Sequence, residues 1–221
     1  MSNSSLVSYT KISPNKTSPR NHKIDTITIH CVVGQCSVET LGNIFAAPSR
    51  KASCNYGIGK DGRIGMYVEE KDRSWCSSNA TNDHRAITIE VASDVAHPYA
   101  VNEKAYNSLI ELLVDICKRN NIKQLLWKGD KSLVGKVDEQ NMTVHRWFAN
   151  KACPGDYLYN KHSEIAEEVN KRLGVSLSPL EADLDVLVKN KVINSPDYWK
   201  VTAPTVNYLP ELIHNMAEKL K

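Results

Sequence analysis

Three side chains far apart in the sequence are of types that hold a transition metal. They are His30, which ends the run Thr26-Ile27-Thr28-Ile29-His30, His145 in Thr143-Val144-His145-Arg146-Trp147, and Cys153 in Lys151-Ala152-Cys153-Pro154-Gly155. Zinc takes imidazole nitrogen and thiolate sulfur in a tetrahedron, and three protein ligands leave the fourth position to water, the arrangement of a catalytic rather than a structural site. Cys153 lies eight positions after His145. On one continuous helix that spacing means a separation of about 12 Å, too far for a shared ion. The chain must therefore curl back, and Pro154-Gly155 supplies turn chemistry for it. From spacing alone, each of the three could equally be an ordinary buried histidine or cysteine.

The elements that must position these residues follow from periodicity. In the run 26–30, β-branched residues alternate with Ile27 and Ile29 on one face and Thr28 and His30 on the other, the pattern of a half-buried strand. Arg85–Val91 repeats it, with Thr88 and Glu90 opposite Ile87, Ile89 and Val91; taken alone, Glu90 reads as a surface carboxylate. Between them lie a helical stretch near Val38–Ala47 and two strand-like runs joined by Asp61-Gly62, a hairpin. Leu109, Leu112, Leu113, Ile116 and Cys117 fall at helical spacing within 102–119, and a further helix is expected over Tyr157–Leu173 with Gly174 as its C-terminal cap. The reading is an α/β fold: a mixed central β-sheet flanked by helices over residues 1–174, preceded by an irregular arm at 1–22 rich in Ser, Asn, Lys and Pro. A linker is expected at Val175–Pro179. Residues 175–221 then form a small helical C-terminal appendage with helices over Leu180–Asn190, Asp197–Lys200 and Val206–Leu220. That is little chain for a robust core, so the appendage is expected to dock or self-associate.

Composition narrows the partners. In 221 residues, 41% hydrophobic and 24% charged, long disorder, collagen-like repeats and a membrane-spanning chain are all disfavoured. A net charge of +3 without basic runs gives no reason to expect nucleic acid. Six scattered cysteines lack the dense spacing of a disulfide scaffold and are expected as mostly free thiols. The opening residues show no basic region followed by an apolar run, so the expectation is synthesis in a reducing cytoplasm without a signal peptide, and no membrane partner.

The strand ending in His30, the Asn55–Gly62 hairpin, the Ile87-Thr88-Ile89-Glu90 strand and the segment from His145 to Lys151-Ala152-Cys153-Pro154-Gly155 resemble, in type and order, the type 2 N-acetylmuramoyl-L-alanine amidases. That family includes phage lysozymes of the T7 type, AmpD-like amidases and peptidoglycan recognition proteins. The resemblance spans roughly residues 24–173, and the His–x7–Cys-Pro-Gly element with a lysine two before the cysteine is its most specific part. It implies a zinc hydrolase acting on peptidoglycan, cutting the amide between the lactyl group of N-acetylmuramic acid and the first L-alanine of the stem peptide. His30, His145 and Cys153 match the family's Zn2+ ligands, Glu90 its general base and Lys151 its catalytic lysine. Zinc brings the pKa of a bound water towards about 7. The thiolate ligand weakens the ion's charge, so an ammonium at Lys151 is a useful partner for the oxyanion. Parity supports Glu90, because Thr28 and His30 share a face as do Thr88 and Glu90, as two neighbouring strands lining one cleft would show.

Other positions follow by resemblance. Trp75, Asn82 and Arg85 fall in the family's substrate-facing loop and are substrate-binding candidates beside the plainer reading of a capped loop. Many members have a histidine after the tryptophan, where this chain has Cys76. The catalytic tyrosine of T7-type members falls at Cys54; Tyr56, two residues on, is a candidate for partial substitution and otherwise a packing residue, which favours the Glu-based, AmpD-like arrangement. Cys31 is expected to point to the strand face opposite His30. The tail resembles helical C-terminal segments of some clostridial amidases and endolysins, with Tyr198, Trp199 and Tyr208 either contacting cell wall or forming the small core of the helices. A wall substrate without a signal peptide implies a phage or prophage endolysin, released by a separate membrane-permeabilising protein. The alternatives are a cytoplasmic muropeptide-recycling amidase and a non-catalytic peptidoglycan-binding module.

Overall fold

The alternating runs at 26–31 and 86–91 become neighbouring strands in the middle of a sheet. In the computed structural model, which describes residues 2–175 and 178–221, the chain runs β1 (Val7–Thr10), β2 (Lys16–Thr17), β3 (Thr26–Cys31), α1 (Val38–Ala46), β4 (Tyr56–Ile58), β5 (Ile64–Met66), β6 (Arg73–Ser74), α2 (Ala80–Arg85), β7 (Ala86–Val91), α3 (Glu103–Arg119), β8 (Met142–Thr143) and α4 (Gly155–Leu173). Three more helices follow, α5 (Pro179–Lys189), α6 (Pro196–Thr202) and α7 (Leu209–Glu218). The expected linker falls partly on residues 176 and 177, outside those described.

The six-stranded sheet has the order β1-β5-β4-β7-β3-β8, mixed because β4 and β5 form the antiparallel hairpin while β3 runs parallel to both β7 and β8. Ile27, Ile29, Ile87 and Ile89 are fully buried in one core with Leu109, Leu112, Leu113 and Ile116 of α3 and Leu158, Ile165 and Val169 of α4. Each such side chain contributes roughly 1.5–3 kcal/mol by leaving water. The register pairs Thr28 with Thr88 and His30 with Glu90. The same alternation that seats the isoleucines therefore delivers a histidine and a carboxylate side by side on the opposite face.

The N-terminal arm is not irregular, contrary to expectation. β1 adds to the sheet parallel to β5, and β2 pairs with β6. Val7–Thr10 is an edge strand with every other residue exposed, too short for its period to stand out from the polar residues around it. Beyond it, the buried Arg20 donates to the carbonyls of Glu70, His84, Asp72 and Ala86 at 2.6, 2.8, 3.0 and 3.2 Å, fastening the arm.

The chain divides into two compact units, Met1–Gly174 and Val175–Lys221. The second has its own small core of Leu184, Leu187, Ala203, Ile213 and Ala217, against which Trp199 packs. Of the three tail aromatics only Tyr198 and Tyr208 stand exposed, at 59% and 82%. Among the described residues no helix is long and apolar enough to cross a membrane.

Candidate active site

The C-terminal end of β3 carries the fully buried His30, a single 3-10 turn at His145–Trp147 carries His145, and the segment entering α4 carries Cys153. The curl required between the last two is closed by the Arg146 N–H donating to the Cys153 carbonyl at 3.1 Å. The ring centroids of His30 and His145 lie 5.1 Å apart, His30 Nδ1 is 3.3 Å from Cys153 Sγ, and one ligand atom from each of the three lies within 4.8 Å of the others. With zinc–nitrogen near 2.05 Å and zinc–sulfur near 2.3 Å, a tetrahedral ion spaces an N and an S by about 3.5 Å. The donor set therefore fits zinc in both type and spacing.

Electrostatics agree with that fit. Burial, and then the nearby His145, push the His30 imidazole down to about 3, so its lone pair is free at any physiological pH. Burial and the Lys151 ammonium lower His145 in the same direction. The Cys153 thiol is held well above its usual range by its hydrogen bond with Cys31, by burial and by Glu90. Without a cation this sulfur keeps its proton; a dication is what makes it a thiolate.

Glu90 faces the same space. Its Oε1 accepts from the Cys76 thiol at 3.8 Å, while Oε2 is shut off from solvent and has no partner. Burial, and then Cys31, raise the carboxyl to about 8. An open cleft of about 620 Å³ is lined by Glu90, His145, Cys153, Lys151 and Trp75, with Arg50 and Arg73 also on its walls. Trp75 is held by its indole N–H donating to Thr17 Oγ1 at 3.0 Å.

Residues 20–156 match the protein family described as N-acetylmuramoyl-L-alanine amidase. The chain belongs to this family. Solved structures similar to this amidase-family chain include PlyL (TM-score 0.54, 14% identity, covering 73% of this chain and 95% of that one) and AmpD (0.52, 16%, 74% and 96%). A third is the endolysin N-acetylmuramoyl-L-alanine amidase LysCS from Clostridium intestinale URNW (0.50, 20%, 77% and 94%). At such identities the likeness is one of fold. No curated protein matches the sequence.

Three substrate-binding candidates of this amidase-family chain lie away from the cleft. Tyr56 pairs in register with Ile89, and Gly57 with Glu90, so Tyr56 shares the apolar face; its hydroxyl donates to Glu70 Oε1 at 2.7 Å and accepts from the Ser4 N–H at 2.9 Å. Cys54, two residues earlier, belongs instead to a cluster with Leu41, Tyr67 and Cys76, because β4 begins only at Tyr56 and the two-residue parity does not extend across its start. Asn82 is buried on α2, donating to Thr28 Oγ1 at 3.0 Å and Ser77 Oγ at 3.2 Å and accepting from Thr143 Oγ1 at 2.9 Å. Its amide ties α2 to β3, to β8 and to the loop before it. Arg85 makes a two-pronged ion pair with Asp25 at 3.0 and 2.8 Å. Cys31 ends β3 in the apolar cluster of Ile27 and Ile29, as its parity predicts, and also reaches the cleft lining, where its free thiol shares a hydrogen bond with Cys153.

Sequence reasoning missed Ser78, whose hydroxyl lies 3.1 Å from His145 Nε2, and Asp83, which accepts from the Cys76 and Ser77 N–H groups at 2.9 and 3.2 Å. The cue was the polar run Ser77-Ser78-Asn79, in which Asn79 caps α2.

Gly155 sits at φ +79, and a Cβ there would lie 2.9 Å from Tyr99 Cβ and 3.0 Å from the Pro98 carbonyl oxygen. Gly155→Ala is expected to destabilise the fold by about 2 kcal/mol. By shifting Cys153 it should also weaken zinc binding about tenfold. Urea unfolding and chelator competition measure the two; an unchanged zinc affinity would show that Cys153 is positioned independently of this turn.

Proposed function

We propose that this chain is a zinc-dependent N-acetylmuramoyl-L-alanine amidase that hydrolyses the amide between the lactyl group of N-acetylmuramic acid and L-alanine in peptidoglycan, in the role of a phage or prophage endolysin. The observation that carries it is two imidazoles and one thiol gathered within 4.8 Å at an open cleft, beside a buried carboxyl. The family match and the endolysin LysCS among similar structures support the substrate and the role.

His30, His145 and Cys153 would hold the ion, which when bound acidifies water and polarises a carbonyl. Glu90 takes the proton of the attacking water at its carboxylate and returns it to the amine nitrogen as the C–N bond breaks. Lys151 opposes the negative charge that develops on the carbonyl oxygen, a contribution made larger because the thiolate offsets part of the ion's charge. Trp75 offers an aromatic wall to the sugar. Tyr56, Asn82 and Arg85 serve this site through the fold.

Mass spectrometry of digested walls tests the reading. New L-alanine N-termini on stem peptides are expected, and Lys151→Ala should release them roughly 10²–10³-fold more slowly with zinc content unchanged. Cleavage of any other bond would overturn the assignment. Binding to walls without cleavage would select the non-catalytic module, and turnover of soluble muropeptides alone the recycling amidase.

For Val175–Lys221 we propose wall anchoring or self-association, resting on the exposed Tyr198 and Tyr208. Truncation after Gly174 is expected to reduce co-sedimentation with walls or the oligomeric mass, while cleavage of soluble muropeptides persists. If neither changes, the appendage has neither role.

A further inference from the structure

Cys76 lines the cleft, and its surroundings are those of a second metal site. Its Sγ lies 3.8 Å from Glu90 Oε1. A tetrahedral zinc ion, with zinc–sulfur near 2.3 Å and zinc–oxygen near 2.1 Å, holds an S and an O about 3.6 Å apart. The two atoms are thus already at the edge length of such an ion. His30 completes the set, with one ligand atom from each of His30, Cys76 and Glu90 within 4.8 Å of the others.

Two buried atoms are unused. His30 is fully buried, and with Nδ1 turned to Cys153 Sγ its Nε2 has no partner. Glu90 Oε2 has none either. Unpartnered buried polar atoms are rare in native structures, and one account of them is an ion.

We infer that His30, Cys76 and Glu90 form a second, inhibitory site for a thiophilic divalent cation such as zinc or cadmium, adjoining the His30–His145–Cys153 set. Binding there releases to solvent the Cys76 thiol proton and the proton held by the Glu90 carboxyl, and sharing the His30 ring between two ions releases its remaining N–H proton as well. Occupation ties the Glu90 carboxylate to a cation, so it no longer accepts a proton from water. The chain would therefore be active with one ion and silent with two. For its effect on turnover this inference rests on the proposed amidase reading; for its ion count it does not.

Cadmium titration of the full chain, followed by thiolate-to-metal charge-transfer absorbance and by elemental analysis, tests it. The wild type should bind two ions in two steps, each adding a thiolate band. Cys76→Ser and Cys76→Ala should lose the weaker step alone, and Cys153→Ser the stronger step alone. With free zinc at ten times the second dissociation constant, wild-type turnover should fall to about one-tenth, whereas Cys76→Ser keeps whatever rate it has without the added zinc. One ion in the wild type, two in both Cys76 variants, or inhibition unchanged in Cys76→Ser would overturn the second site. Loss of the stronger step from the wild type would instead overturn the His30–His145–Cys153 reading.

Discussion

His30→Ala is expected to yield a folded protein that carries no zinc and hydrolyses walls on the order of 10⁴-fold more slowly, or worse. The size of the effect follows from what the ion does: bulk water ionises near pH 15.7, zinc-bound water near 7, and without the shift hydroxide at neutral pH is scarce. Folding should survive, because His30 is neutral in the zinc-free protein, its imidazole being held down to about 3. Among the described residues its ring shares one side-chain hydrogen bond, with Cys153. Alanine there removes a buried polar group rather than stranding a charge. Elemental analysis after gel filtration gives the ion count, and circular dichroism the fold. Thermal unfolding adds an independent readout: an ion that binds only the folded state stabilises it by mass action. A chelator should therefore lower the wild-type midpoint and leave that of His30→Ala where it was. Stoichiometric zinc in the variant, or undiminished cleavage, would remove His30 from the ligand set.

How much of this was legible in the sequence depends on how local each signal was. That His30 and Glu90 each lie on the face opposite the isoleucines was readable because a period of two is a property of five or six consecutive residues, whereas their adjacency needed the resemblance and is seen in the pairing of β3 with β7. Helices α3 and α4 were readable for the same reason at a longer period, and Gly174, at φ +76, marked the end of α4. What escaped depended on partners distant in sequence. β1 is a strand because the edge of β5 accepts it, and α2 is six residues whose polar composition shows no apolar stripe. Arg85 looked free for substrate, yet its guanidinium is taken by Asp25, sixty positions earlier. Tyr56 was open between a packing residue and a partial substitute for the tyrosine, and its pairing with Ile89, which lies outside any local pattern, makes it a packing residue. The pattern is physical: one-dimensional periodicity reports which side of an element is buried, whereas the partner of a polar group is a property of the packed chain.

Glu90→Gln is expected to keep its zinc and lose turnover by about 10³-fold, the usual size of a general acid–base contribution. The same substitution should act in the opposite direction on the stability of the zinc-free protein. In the folded chain the Glu90 carboxyl is raised from 4.5 to about 8, chiefly by burial. Below pH 4.5 it is protonated in both folded and unfolded states and no penalty arises. Between pH 4.5 and 8 the unfolded chain releases the proton while the folded one retains it, so stability is lost steadily as pH rises; above 8 both are ionised and the loss is complete. Glutamine has no proton to release. Zinc-free Glu90→Gln should therefore exceed the zinc-free wild type by on the order of 3 kcal/mol at pH 7, and by little near pH 4. Urea unfolding at pH 4, 6 and 8 resolves this. A stability difference independent of pH would mean that Glu90 is ionised in the folded zinc-free protein, and a variant with full turnover would mean that another group takes the proton. The stability result comes from one property: in the zinc-free chain a carboxyl kept out of water holds its proton more firmly.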